Sequence, residues 1–401
     1  MFKRGLNLYR SSFTGLSRET WLLAVIMLIN RSGTMVLPFM TLYLTSKGVD
    51  RTLSEAGTVV GLWGLGAIIG AFFGGKLTDK IGFHKVQLIT LFCGGILFII
   101  LGQIRSYPLI CLFTFILSTV NEAFRPANAT AVAVYSKPEN RTRSNSLNRL
   151  AINLGWALGV SVGGVIASYS YTLLFWVDGI TNILAALSLL YFLKPVSQKK
   201  EDKAKELVLQ PIQRSVYKDK NFLAFAFFTM LFGFCFFQMF STVPSYFRDG
   251  LHLSEKYIGA IMALNGLLIV LIEMVLINFL EGKRHLMIYI SLGTLLCGIA
   301  FLLLLLPLHG KIISLFMILM ITFGEIISMP FMNSYWAARA NDKNRGQYAA
   351  LVTIAWSIGQ TMGPYACSKL VEASSFNVMF MALGGLLCFT ALGFSWLKSK
   401  D

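Results

Sequence analysis

Six charged side chains lie within otherwise apolar stretches: Arg31, Glu122, Arg125, Asp178, Glu273 and Glu325. A charge at the centre of a bilayer costs at least about 2.5–3.5 kcal/mol, so each needs a partner or a watery cavity. Such a set can pair internally, trade protons through its carboxylates, or grip an anion through its arginines. Glu122 has Arg125 one helical turn away, which favours an ion pair or a substrate anchor. Glu325 and Glu273 have no arginine within a turn of their own helices and are expected to gain and lose protons. Uncharged polar residues extend the set. Asn30 precedes Arg31, and Asn121, Arg125 and Asn128 fall at i, i+4 and i+7 on one helix face. Gln238, Ser241, Thr242 and Ser245 form a second stripe, and Thr353, Ser357 and Gln360 a third. Phe236, Phe237, Met239 and Phe240 surround Gln238, an aromatic and sulfur lining that suits amphipathic molecules.

The elements that must carry these residues are membrane spans. Of 401 residues 55% are apolar and 13% charged, about half the usual share of roughly 25% in a soluble domain. Mean hydropathy is +0.66. This excludes a disordered chain, a disulfide scaffold and an ordinary soluble enzyme. A spanning helix needs about 20 apolar residues. Twelve such stretches are expected: 20–46, 55–75, 86–105, 108–135, 145–167, 171–193, 221–247, 256–280, 285–307, 311–337, 347–369 and 376–397. The basic N-terminal segment lacks the features of a cleaved signal peptide. Lys and Arg outnumber Asp and Glu by 35 to 19, and their placement gives orientation. The tails, the even-to-odd loops and the central linker carry 26 of them, and the opposite loops 7. Both termini and the linker are therefore expected in the cytoplasm. The excess charge follows topology and implies no nucleic-acid partner.

A polar segment at 195–220 divides the chain into spans at 1–194 and 221–401. The halves resemble each other. An ungapped offset of 204 pairs 126–159 with 330–363 and gives 8 identities in 34, including Pro126 with Pro330, Gly155 with Gly359 and Gly159 with Gly363. The expected fold is an all-α polytopic membrane protein, with twelve transmembrane helices in two pseudo-symmetric six-helix bundles. Two parallel repeats suit a transporter that rocks about a midplane site.

The loop Gly75-Lys-Leu-Thr-Asp79-Lys80-Ile-Gly82-Phe-His-Lys85 resembles the G-x-x-x-D-R/K-x-G-R/K-R/K loop of the major facilitator superfamily, departing from it at Phe83 and His84. The resemblance extends over nearly the whole chain. It implies a conformational latch centred on Asp79, with Arg141 and Arg143 as basic partners. The fifth span, Gly155-xxx-Gly159-Val160-xx-Gly163-Gly164, is similar to the family's glycine-rich antiporter motif, with Val160 in place of proline. The related helix later in the chain keeps the proline as Gly363-Pro364. Asn30 to Pro38, Asn121 to Pro126 and Gly324-Glu325 with Pro330 look like the drug-exporter branch. In this family spans one, four, seven and ten line the cavity, which implies that Arg31, Glu122, Arg125 and Glu325 surround one site.

There is no phosphate-binding loop, no nucleophile elbow and no HExxH, and His84, His252, His285 and His309 do not cluster. The six cysteines have no CxxC spacing. Neither an enzyme nor a metal or cofactor site is expected. The reading is a monomeric secondary transporter in a bacterial inner membrane that exports an amphipathic small molecule, such as a drug or siderophore-like compound, in exchange for protons. Two alternatives are proton-coupled uptake of a polar or anionic metabolite held by Arg31 and Arg125, and a non-transporting receptor or scaffold. The orientation makes a prediction: in an otherwise cysteine-free protein, Lys203→Cys is labelled by an impermeant maleimide only after the cytoplasmic face is exposed. Labelling of intact cells would reverse the topology.

Overall fold

The computed structural model describes residues 11–44, 46, 49–51, 53–193, 216–341 and 344–400. The central linker, apart from its last residues 216–220, lies outside them. The described residues form helices joined by short turns, with no strand among them. The first span is α1 (Arg18–Ser32) and α2 (Val36–Leu44), followed by α3 (Leu53–Ile81) and α4 (Phe83–Gln103). The fourth span is α5 (Tyr107–Glu122) and α6 (Phe124–Tyr135), and α7 (Arg141–Tyr169) and α8 (Tyr171–Phe192) complete the first half. The second half begins with a divided span, α9 (Lys220–Phe236) and α10 (Thr242–Asp249), then α11 (Glu255–Leu280) and α12 (Leu286–Leu303). It ends with α13 (Gly310–Arg339), α14 (Arg345–Ala373) and α15 (Phe376–Lys398). Eleven of the twelve are long and apolar enough to cross a membrane by themselves. The exception is α14, a 29-residue helix whose polar face holds Thr353, Ser357 and Gln360. Large apolar side chains such as Leu392, Phe316 and Val165 are more than half exposed on the outer surface, where lipid replaces water.

Three spans are broken, and proline chemistry explains where. A proline lacks an N–H and its ring crowds the carbonyl four residues back. Pro126 removes the donor for Glu122, where α5 ends. Pro38 does so for Thr34, inside the gap between α1 and α2. Pro244 does so for Phe240, in the 3-10 turn Phe237–Phe240 between α9 and α10. Two of the breaks are held by polar side chains. In the first span the Asp178 carboxylate of α8 accepts from the Met35 and Val36 N–H groups at 2.9–3.2 Å, capping α2. In the seventh the Gln238 side chain accepts from the hydroxyls of Ser241 and Thr242 at 3.2 and 3.0 Å, and donates to the Phe234 carbonyl. The polar stripe around Gln238 is thus bonded to itself. Asp178, expected among the transport residues, is committed to backbone.

Glycines set the packing between spans. A Cβ on Gly155 would lie 2.7 Å from the Arg31 Cβ, and one on Gly159 3.0 Å from the Ser32 carbonyl, so α7 presses directly on the broken first span. The repeat-related pair does the same to the seventh: Cβ atoms on Gly359 and Gly363 would lie 2.6 Å from the Phe234 nitrogen and 2.5 Å from its carbonyl oxygen. Between the halves, Gly75 of α3 and Gly346 of α14 touch backbone to backbone. The packing yields a contrast. Gly359→Ala lowers the melting temperature in detergent by several degrees, because backbone must move. Gly385→Ala, with open space around it, leaves the temperature unchanged or raises it. Equal effects of the two would show that close approach does not govern this interface.

Candidate functional site

The side that carries both ends of the linker also carries the hydrogen bonds that join the two halves. At its rim the carboxylate of Asp79, in the last turn of α3, accepts from the Gly346 and Gln347 N–H groups at 2.6 and 2.9 Å. These N–H groups lie in the first turn of α14, where a helix favours negative charge. The same device recurs in the other direction. Glu281, just past the end of α11, accepts from the Thr142 N–H of α7 at 2.8 Å and from Arg143 Nε at 2.9 Å. Arg143 therefore serves Glu281, not Asp79. Arg141 likewise makes no bond to Asp79. Gly82 provides the turn after α3, at φ +88°. Lys80 and Lys85 are exposed. The two departures from the family loop are structural: Phe83 packs edge-on against Tyr135, with ring centres 5.5 Å apart, and His84 Nε2 lies 2.7 Å from the Leu193 carbonyl.

Deeper in, Arg149 crosses from the first half to the second. It stands eight residues into α7, about 12 Å from the helix start at 1.5 Å per residue. Its Nε lies 3.1 Å from both carboxylate oxygens of Glu273 (α11), and its Nη2 is also bonded to Glu273. Its Nη1 donates to Glu325 (α13) at 2.7 Å. Asn265 holds the other Glu325 oxygen at 3.1 Å and the Thr322 hydroxyl at 2.9 Å. All three charged side chains are nearly buried. Between this group and the rim, Ser334 of α13 donates to the Thr142 hydroxyl at 2.8 Å.

The other charges form a second group within the first half. Glu122 pairs with Arg125 at 3.1 Å. Arg31, at the end of α1, lines a small cavity with Asn30, Asn121, Glu122, Trp63 and Phe98. Asn30 donates to Asn182 at 2.9 Å, and Asn128 is tied between Gln87 and Asn148. Of the four residues expected around one site, Glu122 pairs with Arg125, while Glu325 bonds to Arg149 and Asn265. Glu325 and Glu273 do have an arginine, supplied by a different helix. Arg149 falls among the loop charges when read along the chain, because α7 begins earlier than its apolar stretch. Glu281 carried a faint signal: it precedes Gly282, Lys283 and Arg284 at the end of its span, much as Asp79 precedes Lys80 and Gly82.

The comparisons agree with this architecture. The sequence profile of the Major Facilitator Superfamily matches residues 20–364. Multidrug resistance protein 2 of Bacillus subtilis (strain 168) is 24% identical over 382 residues, which cover 92% of each chain. A Na(+), Li(+), K(+)/H(+) antiporter of Planococcus maritimus is 21% identical over 403 residues, covering 92% of this chain and 93% of that one. Among solved structures, the human organic anion transporter MFSD10 (TETRAN) superimposes with a TM-score of 0.76 at 17% identity, covering 94% of this chain and all of the other. The chain belongs to the Major Facilitator Superfamily. It is a multi-pass membrane transporter and not an enzyme.

Removing one member of a buried charge group leaves the others unpaired, typically a loss of about 3–5 kcal/mol. Arg149→Ala is accordingly expected to lower the melting temperature strongly, and the uncharged triple variant Arg149→Met, Glu273→Gln, Glu325→Gln to recover most of it. A single variant as stable as wild type would contradict the geometry.

Proposed function

We propose that the protein exports an amphipathic small molecule across a bacterial inner membrane in exchange for protons. The observation that carries this reading is Arg149, held by two carboxylates of the opposite half. If the side with the basic loops is cytoplasmic, this conformation is closed to the cytoplasm. Opening it parts α7 from α11 and α13 and takes the guanidinium away from Glu273 and Glu325. Two carboxylates would remain in an apolar wall, each costing at least about 2.5–3.5 kcal/mol if charged. Protonation is the smallest change that relieves this cost. Protons from outside therefore release Arg149 and favour the inward-facing state. Their loss to the cytoplasm draws Arg149 back and restores the outward-facing state, with substrate carried along. The relief is differential between the two states, as a coupled exchange requires.

The drug-resistance and antiporter names of two relatives support the direction and the coupling ion. The Asp79 and Glu281 contacts at the rim open and close with the same movement. Aromatic lining beside the charged cavity, from Trp63 and Phe98, suits an amphipathic substrate.

The test uses proteoliposomes with a trapped pH dye, an imposed pH gradient, and ethidium or dansyl undecanoate as substrates. Substrate-dependent proton flux is expected, opposite in sense to substrate movement, and at least tenfold weaker in Glu325→Gln and Glu273→Gln. Flux in the same direction as substrate would make the protein an importer. Unchanged flux in both variants would remove the carboxylates from the coupling.

A further inference from the structure

We infer that the cavity in the first half is a subsite for the anionic end of an amphipathic substrate, with Arg31 as its anchor. The inference rests on the reading that the protein carries amphipathic molecules, and it names their charge.

The two acids beside Arg31 are already engaged. Glu122 pairs with Arg125. Asp178 is on the same wall, but its oxygens accept from the Met35 and Val36 N–H groups. Arg31 is left over. It has no carboxylate within ion-pair distance among the described residues, and its buried Nε makes no hydrogen bond. An unpaired guanidinium within a membrane is costly unless something negative reaches it. Arg149 shows what the same fold does with a permanent arginine: it surrounds it with carboxylates. Around Arg31 no such ion pair is present among the described residues.

Position makes Arg31 a fixed anchor. It sits in the last turn of α1, directly before the break, and Gly155 of α7 lies against its Cβ. The backbone there has little room to move, so the planar donor set is presented from a constant place. A carboxylate matches it with two parallel bonds. Asn121 and Glu122 are on the opposing span, and the carboxylate of Glu122 favours a monoanion over a multiply charged ligand. Trp63, Phe98 and Leu37 form the apolar part of the lining, with the two rings 6.3 Å apart. A polar corner whose guanidinium has no ion-pair partner among the described residues, beside an aromatic wall, fits an aliphatic or aromatic carboxylate.

The experiment is direct binding to purified protein in neutral detergent, which requires neither transport nor a proton gradient. Three fluorescent compounds of similar size are titrated: dansyl undecanoate, its methyl ester, and the cation dansylcadaverine. The carboxylate is expected to bind at least tenfold more tightly than the other two. Arg31→Gln abolishes that preference while ester binding persists. Should Arg31→Gln fold poorly, Asn121→Asp tests the same point isosterically, by adding a negative charge opposite Arg31; it is expected to weaken the carboxylate at least tenfold. Competition by decanoate supports a small solute as the occupant. Competition by phosphatidylglycerol alone would assign the cavity to a lipid headgroup and overturn the inference. So would equal binding of all three compounds, binding of none, or retention of the preference in both variants. Those results leave the proton-exchange reading intact, whereas loss of coupled flux in liposomes with the carboxylate preference preserved overturns that reading alone.

Discussion

One guanidinium shared by two carboxylates in a membrane interior is the constraint on which this structure depends. In water the three charges of Arg149, Glu273 and Glu325 would be nearly indifferent to each other. In an apolar wall they are stable only together, and they come from helices of different halves. The halves cannot separate on this side without leaving charge exposed to low dielectric. In the exchange proposed above, protons replace this contact when the halves part. Other contacts join the halves on the same side. Asp79 and Glu281 each accept N–H groups from a helix start across the interface, and Ser334 meets Thr142 between them.

The two halves share their backbone devices but not their polar chemistry. Proline four residues after a break recurs in the first and seventh spans, and paired glycines press α7 and α14 onto those breaks. The acid that caps a helix start across the interface is also duplicated. Yet the residue related to Arg149 by the repeat offset of 204 is Thr353, whose hydroxyl is bonded to the Ala349 carbonyl in its own helix. The charged bridge is therefore one-sided. The first half has instead its own cavity with Arg31, while the seventh span is packed with Phe222, Phe225, Phe232 and Phe236. Similar backbone devices thus carry different polar groups: the two carboxylates that hold Arg149 lie in the second half, and the cavity with Arg31 lies in the first.

Much of this was legible in the chain because bilayer physics leaves coarse marks. Apolar runs gave the spans, and the repeat gave the paired glycines and prolines. The Gly75–Lys85 loop gave the rim contact, although its acceptor proved to be used by backbone N–H groups of α14 in place of Arg141 or Arg143. What stayed hidden depends on which helix faces which. Arg149 looked like a loop charge because polar residues at the start of α7 hide how far the helix extends. Glu273 and Glu325 looked unpaired because their partner lies more than 120 residues away. The bonds from the start of α2 to Asp178 follow from a break that the apolar pattern of the first span does not reveal.

The most direct test of the central claim is the distance across the basic-loop side as a function of proton concentration. Spin labels at Glu139→Cys and Arg284→Cys, in a cysteine-free protein in nanodiscs, report the separation of the two halves. The account predicts one short distance at alkaline pH and a growing longer population as pH falls, with the Glu273→Gln, Glu325→Gln double variant already in the longer population at alkaline pH. A distance distribution that ignores both pH and the double variant would contradict it, and would reduce the Arg149 group to a fixed structural bridge.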